Sequence, residues 1–436
     1  MASKDSSKPG VEHRDPQYFG YYAMLQHQQN MLQDTVRTST YRSSILLNGP
    51  KCFQGKTVMD VGAGSGILSY FAVQAGADKV YAVEASGMAK KMKKLVDSAD
   101  EKHNPFLSNK IKVVNAKIED PDLDIPKVDT IISEPIGVLL FHERMLESYI
   151  HARDMYLKPG GAMFPSSGSI FLAPFTDATL WTETMAKARF WEQPSFYGID
   201  LTSLYKDARD EMFGMPVVGH FDPRNLIATP TVIDAYNVDF ATVTIPELQD
   251  LVMPFEWTAG YTGLMHGVAG WFNLEFAPPD KDIGTTVFMS TSPAADRTHW
   301  QQVRFLFREP LAVNATQKIK GWMRAIINDM RSYTIYVEVS LQDDVTDPSK
   351  LDRATFGDPQ KEDGNALRRR GRWELHEQTY NYSFTPGLMP DHKPEYSCLY
   401  EPEGQLGIAH MDEAAAGATP SAMDIQVMDE YEGFVN

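Results

Sequence analysis

Cysteine is nearly absent from the 436-residue chain: Cys52 and Cys398 cannot build a disulfide framework or a multi-thiolate metal site. No uninterrupted apolar run reaches the ~18 residues of a membrane span. The polar start, Met1 to Val11, lacks the apolar stretch of a signal peptide. Positive charge is in deficit, with 41 Lys and Arg against 58 Asp and Glu, a formal net charge of −17. A general nucleic-acid binder needs a basic surface to meet phosphates, so direct nucleic-acid binding is not expected. A cationic partner suits this charge. These absences together describe a soluble protein of a reducing compartment, without membrane association.

What is present fits a globular protein able to bury a sizeable core, with 43% hydrophobic and 23% charged residues, and the length suggests two or three domains. After a polar lead-in, Tyr18 to Leu47 reads as helical and is closed by Asn48-Gly49-Pro50. Strand candidates Thr57–Val61, Lys79–Val83, Ile111–Val114 and Val128–Ile132 alternate with helix candidates Ile67–Gln74, Ala89–Val96 and Glu143–Leu157, the last stopped by Pro159-Gly160-Gly161. That alternation predicts an α/β domain with a doubly wound parallel sheet. After Met163, short alternating runs such as Thr285–Ser290, Val303–Phe307 and Ser332–Val339 predict an antiparallel sheet domain. It is interrupted by the helix-compatible, aromatic-rich insertion Asp177–Met215. The last 36 residues hold eight acidic residues and no Lys or Arg. Residues 346–436 therefore read as a largely disordered acidic tail, with Trp373 able to dock locally.

Two constellations carry chemistry. The strand ending at Val61 runs into Gly62-Ala63-Gly64-Ser65-Gly66 and then a helix, which brings bare backbone up to a ligand. The spacing is not the dinucleotide G-x-G-x-x-G, because Gly66 follows Gly64 by two residues. Glu84, at the end of the next strand, stands where a carboxylate accepts both hydroxyls of a ribose. A nucleoside ligand without a pyrophosphate suits the pair, and S-adenosylmethionine fits. The alternative is a glycine-rich structural turn. The second constellation is Glu134, in Ser133-Glu134-Pro135 after a strand, with Glu143 nine residues later. Two carboxylates converging in a partly dry crevice repel unless a cation lies between them, and planar, five-donor guanidinium is the natural one. Spacing alone does not distinguish this from two ordinary acids, one at a strand end and one capping a helix.

With these residues the chain resembles the protein arginine methyltransferases, and within them the coactivator-associated subgroup of the asymmetric-dimethylating class. The matching segments, in family order over about residues 17–340, are Tyr18-Phe19-Gly20-Tyr21-Tyr22, Gln28-Gln29-Asn30-Met31, Val36-Arg37-Thr38, Val61 to Gly66, Val83-Glu84-Ala85, Ser133-Glu134-Pro135, Glu143 to Ser148 and Thr298-His299-Trp300. Phe190 to Phe196 favours the subgroup. The resemblance implies a helical lid (17–49), a Rossmann-like cofactor domain (50–164), and a β-barrel-like domain (165–345) whose insertion (177–215) is a dimerisation arm. It further implies that Glu134 and Glu143 hold the substrate guanidinium. Arg37 would pair with the carboxylate of S-adenosylmethionine and Glu84 with its ribose, while Gln28, Gly62, Gly64, Glu119 and Ser148 take further cofactor positions. Met31 and Met145 would crowd the guanidinium, and Met31 would also border the cofactor. Tyr18 and Tyr22 would fold over the cofactor, and His299 would contact Asp34 and close the site.

The expected activity is methyl transfer to arginines of basic proteins such as histone tails and RNA-binding proteins, giving mono- and asymmetric dimethylarginine. A homodimer in nucleus and cytoplasm, and a part in transcription coactivation, are implied with it. The proton released after transfer has three candidate acceptors: His299 with Asp34, Glu143, or water. The rivals are an enzyme making symmetric or only monomethylated product, against which Met31 and Met145 argue, and a coactivator scaffold with little activity. About 17 residues precede the aromatic motif, so the extra N-terminal domain of animal coactivator-associated members is expected to be missing. Pro135-Ile136-Gly137-Val138 departs from the family, which usually carries Met and Tyr there, and Arg368 to Arg372 reads first as a solvated charge run.

Overall fold

The computed structural model describes residues 12–280, 282, 284–358 and 365–381. Five strands form an all-parallel sheet: β1 (Thr57–Val61), β2 (Lys79–Val83), β3 (Ile111–Val114), β4 (Val128–Ser133) and β5 (Leu157–Phe164). Their spatial order is β3-β2-β1-β4-β5. The order reverses between β1 and β4, so a crevice opens at the carboxyl ends of those two strands. The glycine turn follows β1 and Glu134 follows β4, which places both constellations at that crevice. The interior strands read as near-continuous apolar runs because both faces are covered: Val58, Met59, Val61, Ile131 and Ile132 are all buried.

Helices α1 (Asp15–Tyr22), α2 (Leu25–Leu32) and α3 (Thr35–Leu47) precede the sheet. The sequence suggested one helical stretch, but breaks fall at Ala23-Met24 and Gln33-Asp34. At the second, the Asp34 carboxylate accepts the Arg37 backbone N–H at 2.9 Å and caps α3. Then come α4 (Ile67–Gln74), α5 (Met88–Asp97) and α6 (Met145–Tyr156). Pro159-Gly160-Gly161, expected to stop a helix, lies inside β5. Among the described residues that strand pairs only with β4, and an edge strand tolerates a proline that donates nothing.

The second part is antiparallel. β6 (Ser167–Phe175), β7 (Val217–Val218), β8 (Tyr236–Asp239), β9 (Asp250–Thr258), β10 (Gly263–Phe276), β11 (Val287–Ser290), β12 (Val303–Val313), β13 (Lys318–Ile327) and β14 (Tyr333–Ser340) are joined by β15 (Arg368–Glu374) and β16 (Thr379–Tyr380). They divide into a β16-β7-β12-β10-β6-β8 sheet, with β11 on β10, and a β15-β14-β13-β9 sheet. The insertion forms α7 (Ala178–Arg189) and α8 (Tyr205–Gly214). Its base packs on the sheet through Leu180, Met185 and Phe213 against Phe175 and Trp271. Its tip leaves Tyr197 at 92% and Ile199 at 62% exposure.

The reading of 346–436 as disordered fails for its first part. Arg368–Glu374 pairs along β14, and Trp373 is buried against Phe305 and Phe307. The arginine run is not a solvated charge run either: Arg370 Nε donates to Glu338 at 2.8 Å, and Glu338 is fully buried. Alternation of arginines with a glycine and a tryptophan conceals a strand whose long side chains cover an internal acid. Residues 382–436, the lead-in to 11 and Cys398 lie outside the described residues.

Asp60, inside β1, is fully buried and accepts the Ser69 hydroxyl at 2.6 Å. Burial pushes its carboxyl from 3.8 up to about 7. The folded state therefore keeps a proton that the unfolded chain loses near pH 4, so stability falls as pH rises toward 7 and levels off above it. Asp60→Asn should flatten this profile, removing about 3 kcal/mol of difference between pH 5 and pH 8. Urea denaturation at the two pH values checks it, and parallel profiles for both proteins would refute the assignment.

Candidate functional site

A cavity of about 340 Å³ opens at the β1/β4 crevice beneath α1 and α2. Its walls include Tyr18, Tyr22, Gln28, Met31, Arg37, Gly62, Gly64, Glu84, Glu119, Glu134, Glu143, Met145 and Ser148. Residues singled out along the first 148 positions are thus brought to one place. Asp34 and His299 are brought to each other instead. His299 Nδ1 lies 2.6 Å from the Asp34 carboxylate, which also accepts the His299 backbone N–H at 2.8 Å, but neither residue is among the cavity walls. Burial acts to raise the Asp34 carboxyl, yet the hydrogen bonds from His299 and the Arg37 N–H outweigh it and lower its pKa.

The nucleoside end is built from backbone geometry. Gly62 and Gly64 have φ of 70° and 55°, in the left-handed region that β-carbon sterics disfavour. At Gly64 a Cβ would also sit 2.8 Å from Gln28 Oε1. That oxygen is engaged, accepting the Ser65 N–H at 3.0 Å, while Gln28 Nε2 donates to the Tyr22 carbonyl at 3.2 Å. One glutamine therefore ties the glycine turn to the helices above it. Glu84 is buried at the end of β2, where its two oxygens accept the Gly64 and Ser86 N–H groups at 2.7 Å each. Ser148 Oγ donates to Glu119 at 2.5 Å, and both also line the cavity.

The carboxylate end depends on a fold-back. After β4, the chain turns through Gly137, whose N–H and C=O pair with Leu140 at 3.2 and 3.0 Å. A Cβ at Gly137 would lie 2.2 Å from the His142 carbonyl oxygen, so only glycine permits this approach. Glu143 and Arg144 then take φ of 71° and 59°. The sequence reading put Glu143 inside the helix that begins at Met145; the left-handed turn carries it instead into the cavity. Each left-handed residue costs about 1–2 kcal/mol. Arg144 helps hold the turn through its ion pair with Glu147 at 2.6 Å, and Trp300 Nε1 fixes the loop by donating to the Ile136 carbonyl at 2.9 Å.

The electrostatics divide the two acids. Glu134 Oε2 meets the buried Arg37 guanidinium at 2.8 Å. Burial would lower the Arg37 pKa, but Glu134 outweighs it and raises it. Glu143 Oε2 accepts the Tyr22 hydroxyl at 2.7 Å. Burial raises the Glu143 carboxyl above its ordinary value; hydrogen bonds from Tyr22 and Tyr18 oppose the rise and the Glu134 charge adds to it. Tyr18 and Tyr22 have their own pKa values raised, first by burial and then by Glu143, so both remain protonated donors. Sequence reasoning missed Asp15, Lys117 and Arg331, which also line the cavity. Arg331 sits in a hairpin turn of the second domain, and no local pattern points from there to the site. Among the described residues no cluster of three or more His, Cys, Asp or Glu has the geometry of a metal site.

Comparison with known proteins gives a consistent picture. Residues 166–345 match the family described as the arginine methyltransferase oligomerization subdomain, and residues 46–139 match that of the ribosomal protein L11 methyltransferase. The chain is 46% identical over 325 residues to a probable histone-arginine methyltransferase CARM1 of Oryza sativa subsp. indica, covering 74% of this chain and 58% of that protein. It is likewise 46% identical over 329 residues to the histone-arginine methyltransferase CARMER of Drosophila ananassae, covering 75% and 58%. The chain thus spans little more than half the length of the curated relatives it matches. Among solved structures, protein arginine methyltransferase 10 of Arabidopsis thaliana superposes with a TM-score of 0.64 at 32% identity, covering 74% of this chain and 94% of that one. The Trypanosoma brucei PRMT1 enzyme–prozyme heterotetrameric complex with AdoHcy gives 0.64 at 26%, covering 81% and 99%.

Arg37→Ala leaves the Glu134 charge buried without its partner, and should destabilise the fold by about 3–5 kcal/mol. Neutralising both in Arg37→Ala/Glu134→Gln should recover much of that loss. Denaturant titration of the two variants tests the pairing; a double variant no more stable than the single one would contradict it.

Proposed function

The chain belongs to the protein arginine methyltransferase family, and from that premise we propose that it transfers methyl groups from S-adenosylmethionine to arginine side chains of basic proteins, producing mono- and asymmetric dimethylarginine. The observation that carries this reading is the pair Glu134 and Glu143 on the walls of one cavity, each held by a separate partner, with a nucleoside-type end alongside.

The donor set fits the cofactor. Glu84 offers a buried carboxylate to ribose hydroxyls, the left-handed glycines keep the turn free of side chains, and Arg37, paired with Glu134 through Nε and Nη2, still lines the cavity with a cation for an amino-acid carboxylate. When bound, S-adenosylmethionine supplies an electrophilic methyl group. The residues of the chain do the rest. Guanidinium is protonated at any physiological pH and its nitrogens are poor nucleophiles. Glu134 and Glu143 draw positive charge onto the nitrogens they contact and leave the remaining nitrogen richer in electrons. They also hold it in line for attack, a saving of several kcal/mol, roughly, in orientational entropy.

Glu143 is the proton acceptor we favour of the three candidates, because it lines the cavity and its raised pKa brings it closer to the working range of a base. His299 and Asp34 act on the frame instead: Asp34 caps α3, which carries Arg37, and His299 tethers that cap to the second domain. Met31 and Met145 narrow the cavity, which favours the asymmetric product. The exposed tip of the arm, in a segment that matches an oligomerization subdomain, supports a homodimer. The charge of −17 suits histone tails and RNA-binding proteins as substrates, and a location in nucleus and cytoplasm goes with that reading.

The test is to incubate the purified protein with labelled S-adenosylmethionine, histones and arginine-rich peptides, and to identify the methylated amino acids after hydrolysis. Asymmetric dimethylarginine is expected; symmetric product alone would overturn the product class, and absence of methylarginine would favour the scaffold. Glu143→Gln should cut turnover about a hundred- to a thousandfold, by analogy with the loss of an electrostatic transition-state group, while calorimetry still shows cofactor binding. Strong residual activity would remove Glu143 from its role. The pH profile is a further check. Glu143 must be ionised to hold guanidinium, so activity falls as pH drops through its raised pKa. Tyr22→Phe removes a hydrogen bond that favours the ionised form, and should move the acid limb of kcat/KM upward by about one pH unit. A downward shift would contradict the arrangement.

A further inference from the structure

The turn between β13 and β14, Asn328 to Ser332, reaches out of the second domain and touches two elements of the site. Arg331 Nη1 donates to Asp15 Oδ1 at 3.2 Å, and its guanidinium lies 4.3 Å from the centre of the Tyr18 ring and 5.9 Å from that of Phe19. Lys117 closes on the other Asp15 oxygen, with its ammonium 5.6 Å from the Phe19 ring. From the same turn, Ser332 Oγ lies 2.9 Å from His142 Nδ1, and the Asn328 carbonyl accepts Arg144 Nη1 at 3.3 Å. One turn thus holds both the first helix of the lid and the strained turn that carries Glu143.

Helix α1 is also held through Tyr22, whose hydroxyl donates to Glu143 and whose carbonyl accepts Gln28 Nε2. It is eight residues long, below the length at which a helix persists in water by itself, and Asp15 is its one buried residue. A buried carboxylate needs cations, and here they come from Lys117 in the cofactor domain and Arg331 in the second domain. The same guanidinium lies over the face of Tyr18, the arrangement in which a cation is attracted by the ring quadrupole. Four residues beyond Tyr18 on this helix, Tyr22 donates to Glu143.

We propose that Arg331 is a positioning residue that latches α1 to the second domain, and that through this latch it sets the affinity for the adenosyl cofactor. The residue does not touch reacting atoms; it keeps Tyr18 and Tyr22 seated over the cavity. This deepens the proposed function and rests on it. The latch also explains why the second domain contributes to a cofactor site built otherwise from the first 148 residues.

The full-length chain is the material for the test, with S-adenosylhomocysteine as probe, calorimetry for its Kd, steady-state kinetics on an arginine peptide, and thermal melting. Arg331→Ala should weaken S-adenosylhomocysteine binding about tenfold and raise the cofactor KM by a similar factor. Arg331→Lys, which keeps the charge, should restore most of the affinity. Asp15→Asn, which removes only a charge, should weaken binding in the same direction, and the double variant Asp15→Asn/Arg331→Ala should lose little more than the worse single one. Cofactor affinity within twofold of wild type in both single variants overturns the latch, as do losses that simply add. A fall in kcat and melting temperature with KM unchanged, unrelieved by lysine, also overturns it and makes Arg331 a packing residue. Wild-type protein that binds no S-adenosylhomocysteine overturns the proposed function itself, which separates the two failures.

Discussion

Two carboxylates on the walls of one cavity repel each other, and much of this structure exists to hold them there. Glu134 is fixed by a buried guanidinium, Glu143 by a phenol, and each partner belongs to a helix that precedes the sheet. The backbone at Glu143 and Arg144 is strained, and the strain persists because Gly137 permits the fold-back while Arg144, Glu147 and Trp300 clamp its ends. Remove the need for a cation between the acids and these devices lose their purpose. On the proposed function, a substrate guanidinium would satisfy that need with planar, forked donors.

Several groups of the second domain brace the site. Trp300 reaches the Ile136 carbonyl, His299 reaches the cap of α3, and the 328–332 turn reaches both α1 and the Glu143 turn. A Rossmann-like sheet alone leaves its switch-point crevice open. Here the second domain and the N-terminal helices both bring groups to it. The strand Arg368–Glu374 belongs to this frame as well, since Asn328 of the same turn donates to Glu374 at 3.3 Å.

Much of this was legible in the sequence for definite reasons. The buried parallel strands are apolar runs ended by turn residues, so Thr57–Val61, Lys79–Val83 and Ile111–Val114 were bounded correctly. The glycine turn and Glu84 stood out because each occupies a fixed place in a β-α-β unit. What stayed hidden depends on distant partners. Glu143 looked helical because nothing local announces a left-handed turn held by Arg144 and Glu147. Arg368 to Arg372 looked solvated because its acid, Glu338, lies thirty or so positions upstream and wholly inside. Arg331 and Asp15, 316 residues apart, carried no mutual signal at all.

The most direct measurement of the central claim is a crystal structure of the protein with S-adenosylhomocysteine and an arginine peptide. The account predicts the peptide guanidinium between the Glu134 and Glu143 carboxylates, with the cofactor ribose on Glu84. A guanidinium bound elsewhere, with the two glutamates turned to other partners, would contradict it.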